Sequence, residues 1–163
     1  MKYLLNIIVV VFLLLGFSAY SQSGKKSPKA VKVYPVRKSE AEWKKILSPV
    51  SFQVMVKRGT EAPYNNAYHD HHEKGIYVSA ATGEPLFSSD DKFDSGTGWP
   101  SFTKPIRMGA VAVVRDVSHG MVREEIVEAQ TGLHLGHVFN DGPKNKGGKR
   151  YCMNSAALKF IPQ

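Results

Sequence analysis

The chain has one cysteine, Cys152, in 163 residues. A single thiol excludes an intramolecular disulfide and any zinc finger built from cysteines. No internal repeat is present, and no motif of a nucleic-acid reader, so nucleic acid is not among the expected partners. The longest apolar run, Leu4 to Phe17, falls short of the ~20 residues that span a bilayer. No cysteine stands directly after that run, so a lipid-anchored lipoprotein is not expected. No acidic residue occurs in 22–38, whereas Lys25, Lys26, Lys29, Lys32, Arg37 and Lys38 do. The formal charge of +8 therefore belongs mostly to this stretch, because residues 39–163 hold 15 basic and 14 acidic side chains. Apolar residues at 42% and charged residues at 22% exclude a disordered, collagen-like or coiled-coil chain. The length fits one domain.

Lys2, the apolar run, and then Ala19 and Ser21 with one residue between them follow the pattern of a cleaved secretory leader. Residues 1–21 are read as a signal peptide, 22–38 as a basic linker, and 39–163 as the working domain. The mature protein is expected to be periplasmic or secreted. A lone thiol in an oxidising compartment is either buried and inert, or reactive by purpose.

Ser39-Glu40-Ala41-Glu42 is a capping box that opens a helix from Glu40 to Leu47. Ser48-Pro49 ends it and can start another turn through about Lys57, although the β-branched residues of 50–56 compete for a strand. Strands are expected at Ile76–Ala80, Leu86–Phe87, Ala110–Val117, Val122–Ala129 and Leu133–Phe139. A closing strand, Arg150–Ile161, has a candidate break near Asn154-Ser155. Asp94 to Pro100 and Asp141 to Lys149 are glycine-rich loops. Short strands with glycine turns describe a mainly β, antiparallel domain behind a small helical preface.

Three clusters carry chemistry. On a strand, Arg150, Cys152 and Asn154 share a face, so a cation and an amide flank the thiol. A nearby cation favours the reactive thiolate. His134 and His137 would face opposite sides of an unbroken strand, but Gly136 permits a bulge that turns both to one site. Histidines beside a cysteine can move protons. Spacing alone leaves open the plainer arrangement of one core and one surface histidine. Gly96-Thr97-Gly98-Trp99-Pro100-Ser101-Phe102 would hold Trp99 in a rigid loop, either to receive an apolar group or as a core residue. His69, His71 and His72 cluster too tightly on one element for a clean tetrahedral metal site, and read as a polar loop. His119, in a turn, carries little signal.

Taken together, these blocks resemble the B-type methionine sulfoxide reductases, which act on the R epimer of methionine sulfoxide. The resemblance runs from about Ser39 to Phe160. It rests on Gly59-Thr60-Glu61-Ala62-Pro63-Tyr64, Gly75-Ile76-Tyr77-Val78, Pro85-Leu86-Phe87-Ser88-Ser89, and the block from Lys92 to Phe102. It continues through His134-Leu135-Gly136-His137-Val138-Phe139, Asp141-Gly142-Pro143, and Arg150 to Leu158.

The resemblance implies two antiparallel sheets with short N-terminal helices. It makes Cys152 the nucleophile and Trp99 the receiver of the substrate methyl group, with His134, His137 and Asn154 as polar residues lining the site. Arg150 and Asp141 become charged residues close to it, and Phe102 is grouped with the substrate-binding residues.

Two departures stand out. Many relatives bind a structural zinc through two Cys-x-x-Cys pairs, and the matching positions here are Ser79, Thr82, Glu128 and Thr131. No metal and no other cofactor is therefore expected. Many relatives also place a resolving cysteine where this chain has Thr97. An external thiol reductant, such as a thioredoxin-like protein, is then required. The expected substrate is methionine sulfoxide in peptides or proteins, acted on by a monomer. Two other readings remain: a module that binds oxidised methionine without turnover, and a metal-binding domain using His69, His71 and His72.

Overall fold

Ser39 starts the first helix by the reciprocal bonds of a capping box. Its hydroxyl accepts from Glu42 N–H at 3.3 Å, and its own N–H donates to the Glu42 carboxylate at 2.7 Å. The computed structural model describes residues 33–163, so the leader and residues 22–32 of the basic stretch lie outside the described residues. Helix α1 spans Glu40–Ile46 and buries Trp43. Helix α2 spans Pro49–Met55 and buries Phe52, Val54 and Met55. The competition between strand and helix in this segment goes to the helix. Ser48 caps it by accepting from Ser51 N–H at 3.1 Å, and Pro49 is pre-set for the first turn.

Nine strands follow: β1 (Gly75–Ser79), β2 (Pro85–Ser88), β3 (Lys92–Phe93), β4 (Ser101–Phe102), β5 (Val111–Asp116), β6 (Arg123–Glu128), β7 (His134–Phe139), β8 (Arg150–Met153) and β9 (Leu158–Pro162). They form two antiparallel sheets, ordered β2-β1-β9 and β3-β4-β8-β7-β6-β5. The expected mainly β architecture with short N-terminal helices is what the chain adopts. The closing strand does break at Asn154-Ser155: a 3-10 turn at Ser155–Ala157 sends β8 and β9 into different sheets. Strands β3 and β4, two residues each, carry too short a pattern to be seen in the sequence.

The core joins both sheets. Phe102 of β4 stacks on Phe87 of β2 at 4.5 Å and meets Tyr77 of β1 edge-on at 5.0 Å. Burying rings of this size contributes roughly 2–3 kcal/mol each. Residues 33–38, the end of the stretch read as a linker, run against the domain: Val36 N–H donates to Gln130 O at 2.9 Å.

Ser79, Thr82, Glu128 and Thr131 come together where the Ser79–Gly83 and Glu128–Gly132 turns meet. The fully buried Glu128 accepts from Thr131 Oγ1 at 2.7 Å and from Thr82 Oγ1. The Ser79 hydroxyl accepts from Ala81 N–H at 3.2 Å. A zinc held by four thiolates does not fit these side chains, whose oxygens already satisfy one another and the backbone.

Candidate active site

Cys152 lies in β8, between β4 and β7. It pairs with Ser101 on one side and His137 on the other. Alternation puts Arg150 on the same face, and Tyr151 and Met153 on the core face. The approach of β7 to β8 explains Gly136. A Cβ there would sit 2.1 Å from the Cys152 carbonyl oxygen, so only glycine lets the strands close.

The bulge that brings the histidines together is one residue earlier than Gly136. Ile126 pairs with Gly136 and Val127 with His134, which leaves Leu135 as the extra residue. The imidazoles of His134 and His137 are then 5.4 Å apart, edge to face.

Each histidine is held by a carboxylate. His137 Nε2 lies 2.9 Å from Asp116 Oδ2, and Arg123 donates to the same oxygen at 2.7 Å. His134 Nδ1 lies 2.8 Å from Glu125 Oε1, and Arg58 bonds the other oxygen of that carboxylate. His134 Nε2 is buried and has no hydrogen-bond partner among the described residues. The Ser118 N–H and hydroxyl, together with His137 and Arg123, hold the Asp116 carboxyl well below the usual carboxylate range. Burial works against the Glu125 carboxylate, but His134 and Arg58 outweigh it and keep it ionised. With acceptor-only carboxylates opposite them, Nδ1 of His134 and Nε2 of His137 carry the protons. Burial lowers the His137 pKa and the Asp116 bond restores only part of it, so the ring is neutral at neutral pH.

A cavity of about 180 Å³ is lined by Thr60, Trp99, Arg123, His137, Phe139, Cys152 and Asn154, among others. Trp99 is fixed by its indole N–H, which donates to Glu61 O at 3.2 Å. The loop that carries it is tight. A Cβ on Gly98, at φ +86, would lie 2.8 Å from Pro63 and Tyr64, so this position admits only glycine.

Asn154 has both ends of its amide occupied. Nδ2 donates to Leu135 O at 3.0 Å and Oδ1 accepts from Glu61 N–H at 3.2 Å. It ties the cysteine strand to its neighbours as well as lining the cavity.

Burial pushes the Cys152 thiol up, against Arg150, Thr97 and Ser101, which favour the thiolate. The cation expected from the strand pattern is in place, yet desolvation outweighs it. Arg150 is itself clamped: two bonds of 2.9 and 2.8 Å join it to Asp141, and its guanidinium lies 4.4 Å over the Phe139 ring. The Asp141 bonds raise the already high Arg150 pKa, so the guanidinium stays charged. Thr97 Oγ1 lies 4.0 Å from the sulfur and 2.8 Å from Ser95 Oγ, which in turn is 2.8 Å from Ser101 Oγ.

Of the residues expected at the site, Cys152, His137, Asn154 and Trp99 line the cavity, and His134 meets His137 edge to face. Arg150 and Asp141 do not line it. Arg150 acts on the thiol, and the exposed Asp141 acts on Arg150. Phe102 is misplaced by the expectation: it pairs with Tyr151, so it points into the core, where it is fully buried. Asp116, Glu125, Arg58, Arg123 and Glu61 were not foreseen. Their roles depend on cross-strand register and loop packing, which no local pattern encodes.

A neutral histidine on a carboxylate, a thiol and an indole wall thus surround one small cavity. A model of the SelR domain family matches residues 47–162. The chain belongs to that family, the peptide-methionine (R)-S-oxide reductases, which reduce methionine R-sulfoxide and draw on thiol reductants.

Proposed function

We propose that this chain reduces methionine R-sulfoxide in peptides or proteins through a sulfenic acid on Cys152, and that external thiols recycle it outside the cytoplasm. The observation that carries the reading is Cys152 in a cavity with Trp99 and His137, in a chain with no second cysteine.

The sulfoxide enters with its methyl against Trp99 and its oxygen towards the imidazoles. Cys152 holds its proton in the free protein, and neutral His137 has an unprotonated Nδ1. The ring accepts the thiol proton and returns it to the sulfoxide oxygen, which makes that oxygen a leaving group. The cysteine sulfur attacks the protonated sulfoxide to form an S–S bond in a sulfurane. The hydroxyl then passes to the cysteine sulfur as the S–O and S–S bonds to the methionine sulfur break, which leaves Cys152 as sulfenic acid and releases methionine. The cysteine sulfur is oxidised by two electrons and the methionine sulfur reduced by two. Two external thiols then restore Cys152, giving a disulfide and water. Epimer choice follows because exchanging methyl and oxygen would turn the oxygen onto the indole wall.

Export rests on the leader-like residues 1–21, and zinc independence on the bonded Thr82, Glu128 and Thr131. The chain from residue 22 onward, given N-blocked R- and S-sulfoxides and excess dithiothreitol, should turn over many times on the R epimer alone, with no metal bound. A single equivalent of methionine would point to a dedicated recycling partner. No product would favour capture of oxidised methionine without turnover, and activity in Cys152→Ser would sink the mechanism. Signal-dependent appearance outside the cytoplasm tests the location.

A further inference from the structure

Glu61 lies in the segment between α2 and β1, and nothing in the chemistry above uses its side chain. Its backbone nevertheless reaches the cavity on two sides. Its carbonyl accepts the Trp99 indole N–H at 3.2 Å, and its N–H donates to Asn154 Oδ1 at 3.2 Å. One peptide unit on each side of Glu61 thus links the apolar wall to the end of the cysteine strand.

The side chain anchors that backbone. One carboxylate oxygen accepts from Ala156 N–H at 2.9 Å and the other from Ser155 N–H, directly after Asn154. Among the described residues no cation pairs with it. The carboxylate lines a separate cleft of about 410 Å³, in which the other ionisable residues are Tyr68 and Lys159. A half-buried carboxylate without a cation serves no ion pair. Its bonds go to the two backbone amides that begin the turn after Asn154 and to the Ser155 side chain. The surrounding loop repeats the theme: Tyr64 N–H and Asn66 Nδ2 both donate to Gly98 O, at 2.8 and 2.7 Å, next to Trp99.

We infer that Glu61 is a positioning residue that sets Trp99 and Asn154 relative to each other, and so fixes the span between the methyl wall and the polar end of the cavity. The inference rests on the reading that this cavity binds the sulfoxide. Removing the carboxylate takes the acceptor from the N–H groups of the buried Ser155 and the half-buried Ala156, and frees the Glu61 backbone to shift. The damage falls on substrate fit before it falls on Cys152.

The test compares the parent chain with Glu61→Ala and Glu61→Gln, using N-acetyl-methionine R- and S-sulfoxides and dithiothreitol. Val78→Ala, in the other sheet, serves as a destabilised control. In Glu61→Ala, KM for the R epimer should rise on the order of tenfold, equivalent to about 1.4 kcal/mol, with kcat changing less. Preference for R over S should fall. Glu61→Gln should show a smaller rise, because its carbonyl keeps one of the two N–H bonds. KM and epimer preference that stay at parent values while the melting midpoint falls as in Val78→Ala would overturn the inference. So would a loss confined to kcat. An inactive parent chain would overturn the reading beneath it, and the inference with it.

Discussion

The hydroxyl of Thr97 lies 4.0 Å from the sulfur of Cys152. A hydroxyl cannot displace water from a sulfenic acid to form a disulfide, so Thr97 cannot act as the resolving group of the proposed cycle. It does bond to the thiol and favours the thiolate, alongside Arg150 and Ser101. A cysteine at the same position would carry its sulfur into this neighbourhood.

Thr97→Cys should therefore convert the chain to an internal-disulfide cycle. One equivalent of R-sulfoxide, added without reductant, should remove both thiols from a free-thiol titration and leave a disulfide visible by mass spectrometry. The parent should lose one thiol and react with a sulfenic-acid probe. Persistence of the probe adduct in the variant would show that the loop holds position 97 out of reach.

Arg150 opposes the burial that pushes the Cys152 thiol up. Alkylation needs the thiolate, so the iodoacetamide rate should climb with pH to a midpoint above that of an ordinary cysteine. Arg150→Met should move this midpoint further up. Raising the midpoint by about one pH unit leaves roughly a tenth of the thiolate at neutral pH. Asp141→Asn should move it in the same direction but less, because Asp141 acts only by holding the guanidinium. A midpoint unchanged in Arg150→Met would remove Arg150 from the account.

Asp116→Asn keeps the shape beside His137 but removes the charge that partly offsets burial. The ring should become harder to protonate, so the acid limb of kcat should move to lower pH. The Asn amide can also turn its NH2 towards Nε2 and reverse the tautomer. Activity at neutral pH should drop on the order of a hundredfold, within the range of lost acid–base assistance. An unaltered pH profile would assign the proton transfer to His134.

Glu128→Ala should lower stability by about 1–3 kcal/mol, because Thr82 and Thr131 lose their buried acceptor. Activity per folded molecule should hold, since no residue of this cluster lines the catalytic cavity. Denaturant unfolding and a turnover assay on the same sample check both halves. A parent chain whose stability falls on chelation would contradict the bonded-oxygen account.

The residues proposed to do chemistry are legible in the sequence because their setting is local. A single cysteine is visible by count. Its neighbour Arg150 follows from alternation along one strand, Asn154 lies one residue past that strand's end, and Trp99 stands directly after the two glycines of its loop. The capping box of α1 is complete within four residues. Physical interactions of this range lie within a few positions of each other, so sequence pattern captures them.

What could not be read depends on which strands meet and in what register. Phe102 sits three residues from Trp99 yet faces the core, because β4 pairs it with Tyr151 rather than Cys152. Asp116 reaches His137 across β6, and Glu125 reaches His134 only because Leu135 bulges out of the β6–β7 ladder. The thiol's balance also goes against its local pattern: Arg150 was visible from two residues away, but the desolvation that outweighs it comes from the whole surrounding fold. Burial and register are properties of the assembled sheets. The chain's own order therefore determines who the reactive groups are, and the packing of distant strands decides how each is protonated and aimed.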